Sequence, residues 1–197
     1  MKHILADILT GLRLVLVAFI AWIALTWERA TGHSTVALLT MLAWTTDVLD
    51  GPLARRADSP TRLGHYDLPI DVGLMLALGL CLIAWGTLSP LVVGSTLAAA
   101  SVGLWVWRVR APLIVAMGLI YTAFVVTVWR AEPLWGRALT AWVTLDVVLR
   151  PSRIRQDVTW FLGQVGHALR FRRDKYPVHP VERAKRKHKK SSLKRDQ

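Results

Sequence analysis

Apolar residues run through this chain in six long blocks, parted by short polar or turn-forming stretches. The blocks have the length and continuity of helices that cross a bilayer, and they lack the alternation expected of a membrane barrel. They predict helices over 10–27, 35–53, 67–85, 91–107, 112–129 and 134–149. A short amphipathic start, 1–9, precedes the first, and the turn Gly86-Thr87-Leu88-Ser89-Pro90 closes the third. In lipid every backbone polar group needs a partner within the protein, which leaves the helical bundle as the solution. The expected fold class is therefore all-α integral membrane, a six-transmembrane-helix bundle occupying residues 1–150.

Beyond the sixth block the pattern changes. Ile154, Val158, Phe161, Leu162, Val165, Ala168 and Leu169 recur at helical spacing, with Arg153, Arg155, Asp157 and Gln164 between them. Residues 151–172 are thus expected to form an amphipathic helix in the membrane interface. The remainder, 173–197, carries Pro177, Pro180 and a dense run of Lys and Arg, the composition of a disordered basic tail.

Composition agrees with the membrane reading: 53% of residues are hydrophobic and the mean hydropathy is +0.38. The one cysteine, Cys81, excludes a disulfide framework and a thiolate metal site, and it reads as a small packing residue. The net charge of +12 is concentrated at one end. Residues 150–197 hold 15 Lys/Arg against four acids, whereas residues 1–149 hold 10 against nine. Such a tail beside a membrane bundle suits anionic headgroups rather than nucleic acid.

Basic residues also orient the bundle. Arg55, Arg56 and Arg62 fall in the second connection, Arg108 and Arg110 in the fourth, and the basic tail follows the sixth helix. Lys and Arg mark the cytoplasmic side, so both termini are expected to be cytoplasmic. Trp27, Trp85, Trp107, Trp129 and Trp135 fall at predicted helix ends, where indole rings favour the interface.

Candidate chemistry is concentrated between residues 47 and 71. Asp47, Asp50, Gly51 and Ala54 share one face at the end of the second helix, and Asp67 and Asp71 share one face at the start of the third. Two antiparallel neighbours would aim four carboxylates at one region. Clustered carboxylates repel each other and are costly to desolvate, and hard divalent cations relieve both problems. A lone acid would read as solvated surface; two helix-spaced pairs flanking a basic loop read as function.

These residues resemble the signature of the CDP-alcohol phosphatidyltransferases, Asp-x-x-Asp-Gly-x-x-Ala-Arg followed by Gly-x-x-x-Asp-x-x-x-Asp. Asp47, Asp50, Gly51, Ala54 and Arg55 match every fixed position of the first half. In the second half Gly64 stands at the expected distance, but Asp67 follows after two residues instead of three; the Asp67–Asp71 spacing is intact. Val72 occupies a position that is often Lys in members using glycerophosphate. Leu9-Thr10-Gly11-Leu12-Arg13 resembles a weaker N-terminal element of the family.

The resemblance implies an enzyme of phospholipid biosynthesis that moves a phosphatidyl group from a CDP-diacylglycerol-type donor to a small alcohol acceptor, releasing CMP. It implies two Mg²⁺ or Mn²⁺ ions held by Asp47, Asp50, Asp67 and Asp71, with Asp71 as general base. Gly51, Ala54, Arg55, Thr61 and Gly64 would contact the donor, as would Thr10 and Arg13. Arg108 and Arg110 would meet a phosphate-bearing acceptor such as glycerol 3-phosphate, or serve only as an orientation signal. A homodimer is implied, in the plasma (inner) membrane if the source is prokaryotic, with the active site on the cytoplasmic side. Two other readings differ in what they require: a degenerate member that only binds lipid or a partner, and a small ion-coupled transporter, which would place acids at mid-span.

Overall fold

The computed structural model describes residues 2–26, 29–55, 66–107, 110–149, 158–164 and 166. These form six long helices: α1 (Lys2–Thr26), α2 (Arg29–Arg55), α3 (Asp67–Ala84), α4 (Pro90–Trp107), α5 (Ala111–Ala131) and α6 (Pro133–Leu149). The amphipathic start is continuous with α1 rather than separate from it, and α2 begins six residues before the expected Thr35. Pro52 does not end α2, which continues to Arg55. Pro69 falls in the first turn of α3, where backbone N–H groups lack helical partners in any case.

By length and composition, Asp7–Thr26, Asp67–Ala84 and Ala111–Ala131 could each cross a membrane, and Pro90–Val106 is a shorter apolar helix. In α2 the acids of its last turns interrupt the apolar run, and α6 has 17 residues.

Local chemistry shapes the connections after α3 and after α5. After α3, Gly86 adopts φ 65°, and its N–H bonds Ile83 O at 2.8 Å while Thr87 N–H bonds Leu82 O at 2.9 Å. This is the Schellman arrangement, in which the left-handed position favours glycine. Ser89 then caps α4: its Oγ accepts the Val92 N–H at 3.3 Å, with Pro90 at the first helical position. At the α5–α6 reversal, a Cβ on Gly136 would lie 2.6 Å from Trp129 Cα, so only glycine permits this approach.

The core lies between α1, α2 and α3, with α5 packed against α3 and α6 against α2 and α5. Val17 meets Gly73, and Cys81 is fully buried with its thiol 3.8 Å from Ile20 O. Trp85, expected from its terminal position to face the interface, is instead covered by protein. It is buried, stacked on His33 at 4.1 Å and near Phe124 at 6.2 Å, because α2 and α5 close over the end of α3.

Of the expected interfacial helix, 158–164 and 166 are described and helical. Gln164, expected between the apolar positions as a polar residue, is buried, and its Oε1 accepts the Ala111 N–H at 3.0 Å. The start of a helix leaves N–H groups unpaired, and Arg110 provides no side-chain cap to α5, so the amide of Gln164 supplies the acceptor. The tail 173–197 lies outside the described residues.

Candidate active site

Three buried stripes converge at one end of the bundle, and each runs out into charged residues. On α1, Thr10, Arg13, Val17, Ile20 and Ala24 recur at three- and four-residue spacing and are all buried. On α2, Val36, Thr40 and Ala43 are buried, and Asp47 continues the stripe one turn later. On α3, Cys81, Leu78 and Leu74 lead back to Asp71 and Asp67. Arg13 is therefore carried inward by the face that packs α1 against its neighbours, where an unpaired guanidinium would be costly.

Among the described residues it meets three carboxylates. Arg13 Nη1 forms an ion pair with Asp47 Oδ1 and lies 3.7 Å from Asp71 Oδ1, and Nη2 donates to Asp67 Oδ1 at 3.5 Å. The guanidinium side chain is 1% exposed, whereas those of Asp47, Asp67 and Asp71 are 37%, 52% and 41% exposed. The carboxylates thus open outward, with the guanidinium beneath them. The expected direct pairing of α2 with α3 is not what gathers their acids: α2 and α3 each pack on α1, and Asp47, Asp67 and Asp71 meet around its Arg13.

Behind the acids lies an aromatic floor from the second half of the chain. Tyr121 of α5 donates its hydroxyl to the Asp71 carbonyl at 3.3 Å. Trp44 sits edge-on to Tyr121 at 5.8 Å and beside Trp142 of α6 at 5.7 Å. Trp142 Nε1 donates to Thr45 Oγ1 at 3.2 Å, tying α6 to α2 two residues before Asp47. Sequence reasoning missed this group. The available signal was a tyrosine and a tryptophan within apolar helices, because a buried O–H or indole N–H needs an acceptor.

The remaining expected residues divide by position. Asp50, Gly51, Ala54 and Arg55 belong to the last turns of α2, described in backbone only. Thr10 is buried one turn before Arg13. Arg110 is exposed just ahead of α5, and no described ion pair joins it to the aspartates. Thr61, Gly64 and Arg108 lie outside the described residues.

Carboxylate oxygens are the donors that hard divalent cations take. Here three of them, from two helices that both pack on α1, surround a position already holding a cationic group, so the donor set fits such an ion. As arranged about Arg13, the described acids do not by themselves close into a ligand set.

Comparison with known proteins agrees with this end of the molecule. The family model described as CDP-alcohol phosphatidyltransferase matches residues 3–114, more than half of the chain, covering α1 to α4 and the start of α5. No curated protein and no solved structure matches the chain.

Proposed function

Because the chain belongs to the CDP-alcohol phosphatidyltransferase family, we propose that it transfers a phosphatidyl group from a CDP-diacylglycerol-type donor to a phosphorylated polyol such as glycerol 3-phosphate, at the aspartate-bearing end of the bundle. The observation that carries this reading is the convergence of Asp47, Asp67 and Asp71 around one cationic position. The family is generally divalent-metal dependent. Asp47, Asp50, Asp67 and Asp71 are the residues that would hold Mg²⁺ or Mn²⁺. A bound ion neutralises charge developing on the pyrophosphate oxygens.

The chain's own groups do the rest. The Asp71 carboxylate, 41% exposed, accepts the proton of the acceptor hydroxyl. The acceptor oxygen bonds to the lipid-side phosphorus, the bridging P–O bond to the nucleotide breaks, and CMP leaves with that oxygen. Gly51 and Ala54 present a side-chain-poor surface for the nucleotide, and Arg55 offers a planar guanidinium to its phosphates. Thr61 and Gly64 complete the donor side, while Arg108 and the exposed Arg110 supply positive charge for the acceptor phosphate. Six spans with this end facing the cytoplasm suit both the arginines of the second and fourth connections and the basic tail.

The test is CMP release by the purified full-length chain, given CDP-diacylglycerol and a panel of alcohols. Release with a phosphorylated polyol, lost on chelation and restored by Mg²⁺ or Mn²⁺, is the expected result. Undiminished turnover in EDTA, or no release with any acceptor, would overturn the reading.

A further inference from the structure

Arg13 is the one cation among the described residues that lies inside the bundle and meets the aspartates. Its described ion pairs use the Oδ1 atom of each carboxylate, and these three acids come from helices other than its own. Those oxygens are also the donors a divalent ion would take. An ion taking the same Oδ1 atoms of Asp47, Asp67 and Asp71 must displace the guanidinium from them, and two cations in so small a volume repel each other. The acids as they stand form no ligand set among the described residues.

We propose that Arg13 is the built-in counter-cation of the aspartate site, which competes with the divalent ion for the same carboxylates and thereby sets metal affinity. The inference rests on the metal-dependent reading of the site given above. In this role Arg13 is a positioning residue, acting through the acids. It has two opposed effects. By neutralising carboxylates gathered from two helices that both pack on α1, it holds them together without metal, where their repulsion would otherwise loosen the ends of α2 and α3. By occupying their oxygens, it weakens the grip on the ion that replaces it. Burial strengthens both effects, since at 1% exposure Arg13 cannot exchange these partners for water without leaving the stripe it shares with Thr10, Val17 and Ile20.

The experiment compares the full-length chain with Arg13→Gln and Arg13→Lys in nanodiscs, without donor. Mn²⁺ binding is read from the free-ion paramagnetic resonance signal, and thermal unfolding is followed in EDTA and in saturating Mn²⁺. Arg13→Gln should bind Mn²⁺ on the order of tenfold more tightly, since a competing charge is gone. It should also unfold at lower temperature in EDTA, a deficit that shrinks when Mn²⁺ is present. Arg13→Lys keeps the charge and should remain closer to the unmodified chain on both measures. Equal or weaker Mn²⁺ binding by Arg13→Gln, or the same deficit with and without metal, makes Arg13 a packing residue and overturns the proposal.

A second measurement reads the unmodified chain and uses Arg13→Lys only to assign the signal. In the unmodified chain labelled with ¹⁵N-arginine, the side-chain N–H signal absent from Arg13→Lys should shift on Mg²⁺ titration; a signal that stays fixed through saturation contradicts the competition. The two readings fail differently. Mn²⁺ uptake and CMP release with no response to Arg13 removes this inference alone, whereas absence of both uptake and release removes the functional reading and the inference with it.

Discussion

In α1–α3 the buried face of each helix ends in charge: Arg13, Asp47, and the pair Asp67 and Asp71. In α4–α6 the buried positions are apolar or small and fewer, Val93 and Ala100 on α4 and Gly136 and Leu139 on α6 among them. The first group gathers the described acids and the buried arginine. The second contributes Tyr121 and Trp142, which touch the aspartate-bearing end through a backbone carbonyl and a threonine hydroxyl. Ionisable groups in a membrane bundle are tolerated where they pair or meet water, so the charged half must be held to closer geometry than the apolar half. Damage to the two halves should therefore separate into lost chemistry and lost stability.

The largest separation is expected at Asp71. Asp71→Asn keeps the side chain's size but cannot take a proton at neutral pH, so CMP release should fall 10²–10⁴-fold, the range typical of losing a general base. Donor affinity, measured beside the rate, should weaken only modestly. Loss of both together would make Asp71 chiefly a metal ligand. Asp47→Asn provides the contrast: metal binding should suffer first, with turnover partly restored by excess Mn²⁺.

The opposite pattern is expected at Gly136. An added methyl would collide with Trp129 at 2.6 Å, against backbone as well as ring, so Gly136→Ala must push α5 and α6 apart. Overpacking of this kind costs about 1–3 kcal/mol. Thermal unfolding should shift down, while CMP release well below the transition stays near that of the unmodified chain. A large loss of turnover in the folded variant would show that the α5–α6 spacing is transmitted to the acids.

Tyr121 lies between these extremes. Tyr121→Phe removes only the hydroxyl bonded to the Asp71 carbonyl, a contact worth about 1 kcal/mol. A several-fold lower kcat with little change in KM would support its part in fixing the start of α3. Unchanged kinetics would confine the aromatic floor to packing.

What could be read from the sequence followed what is local. The helical pairs Asp47/Asp50 and Asp67/Asp71 were visible as i, i+3 and i, i+4 spacings, and the six helices as apolar blocks with glycine and proline at their ends. What escaped depends on which face meets which neighbour. Arg13 looked like an interruption of an apolar span with a possible donor contact; its burial follows from the stripe it shares with Val17 and Ile20, and its partners lie 34, 54 and 58 positions away. Trp85 carried an interfacial signal by position, yet α2 and α5 cover it. Tyr121 and Trp142 belong to no motif, because their contacts are made with backbone and hydroxyl groups that many sequences could supply.

The smallest expected effect tests whether the segment after α6 belongs to the apolar half or only lies beside it. Gln164 is buried and caps the start of α5 across 53 positions of chain, at a place where Arg110 provides no side-chain acceptor. Gln164→Ala leaves the Ala111 N–H without that acceptor, a loss of about 1 kcal/mol. Since α5 also packs against α3 and α4, the helix itself should persist and CMP release should hardly change. The change should appear locally, as faster hydrogen exchange at the Ala111 amide, roughly five-fold for that loss. Slow exchange retained there would mean that water or a neighbouring carbonyl replaces the amide readily, and that the docked segment contributes nothing to the end of α5. Faster exchange spreading along α5 as far as Tyr121 would instead couple this segment to the floor beneath Asp71, and the division between the two halves would no longer hold.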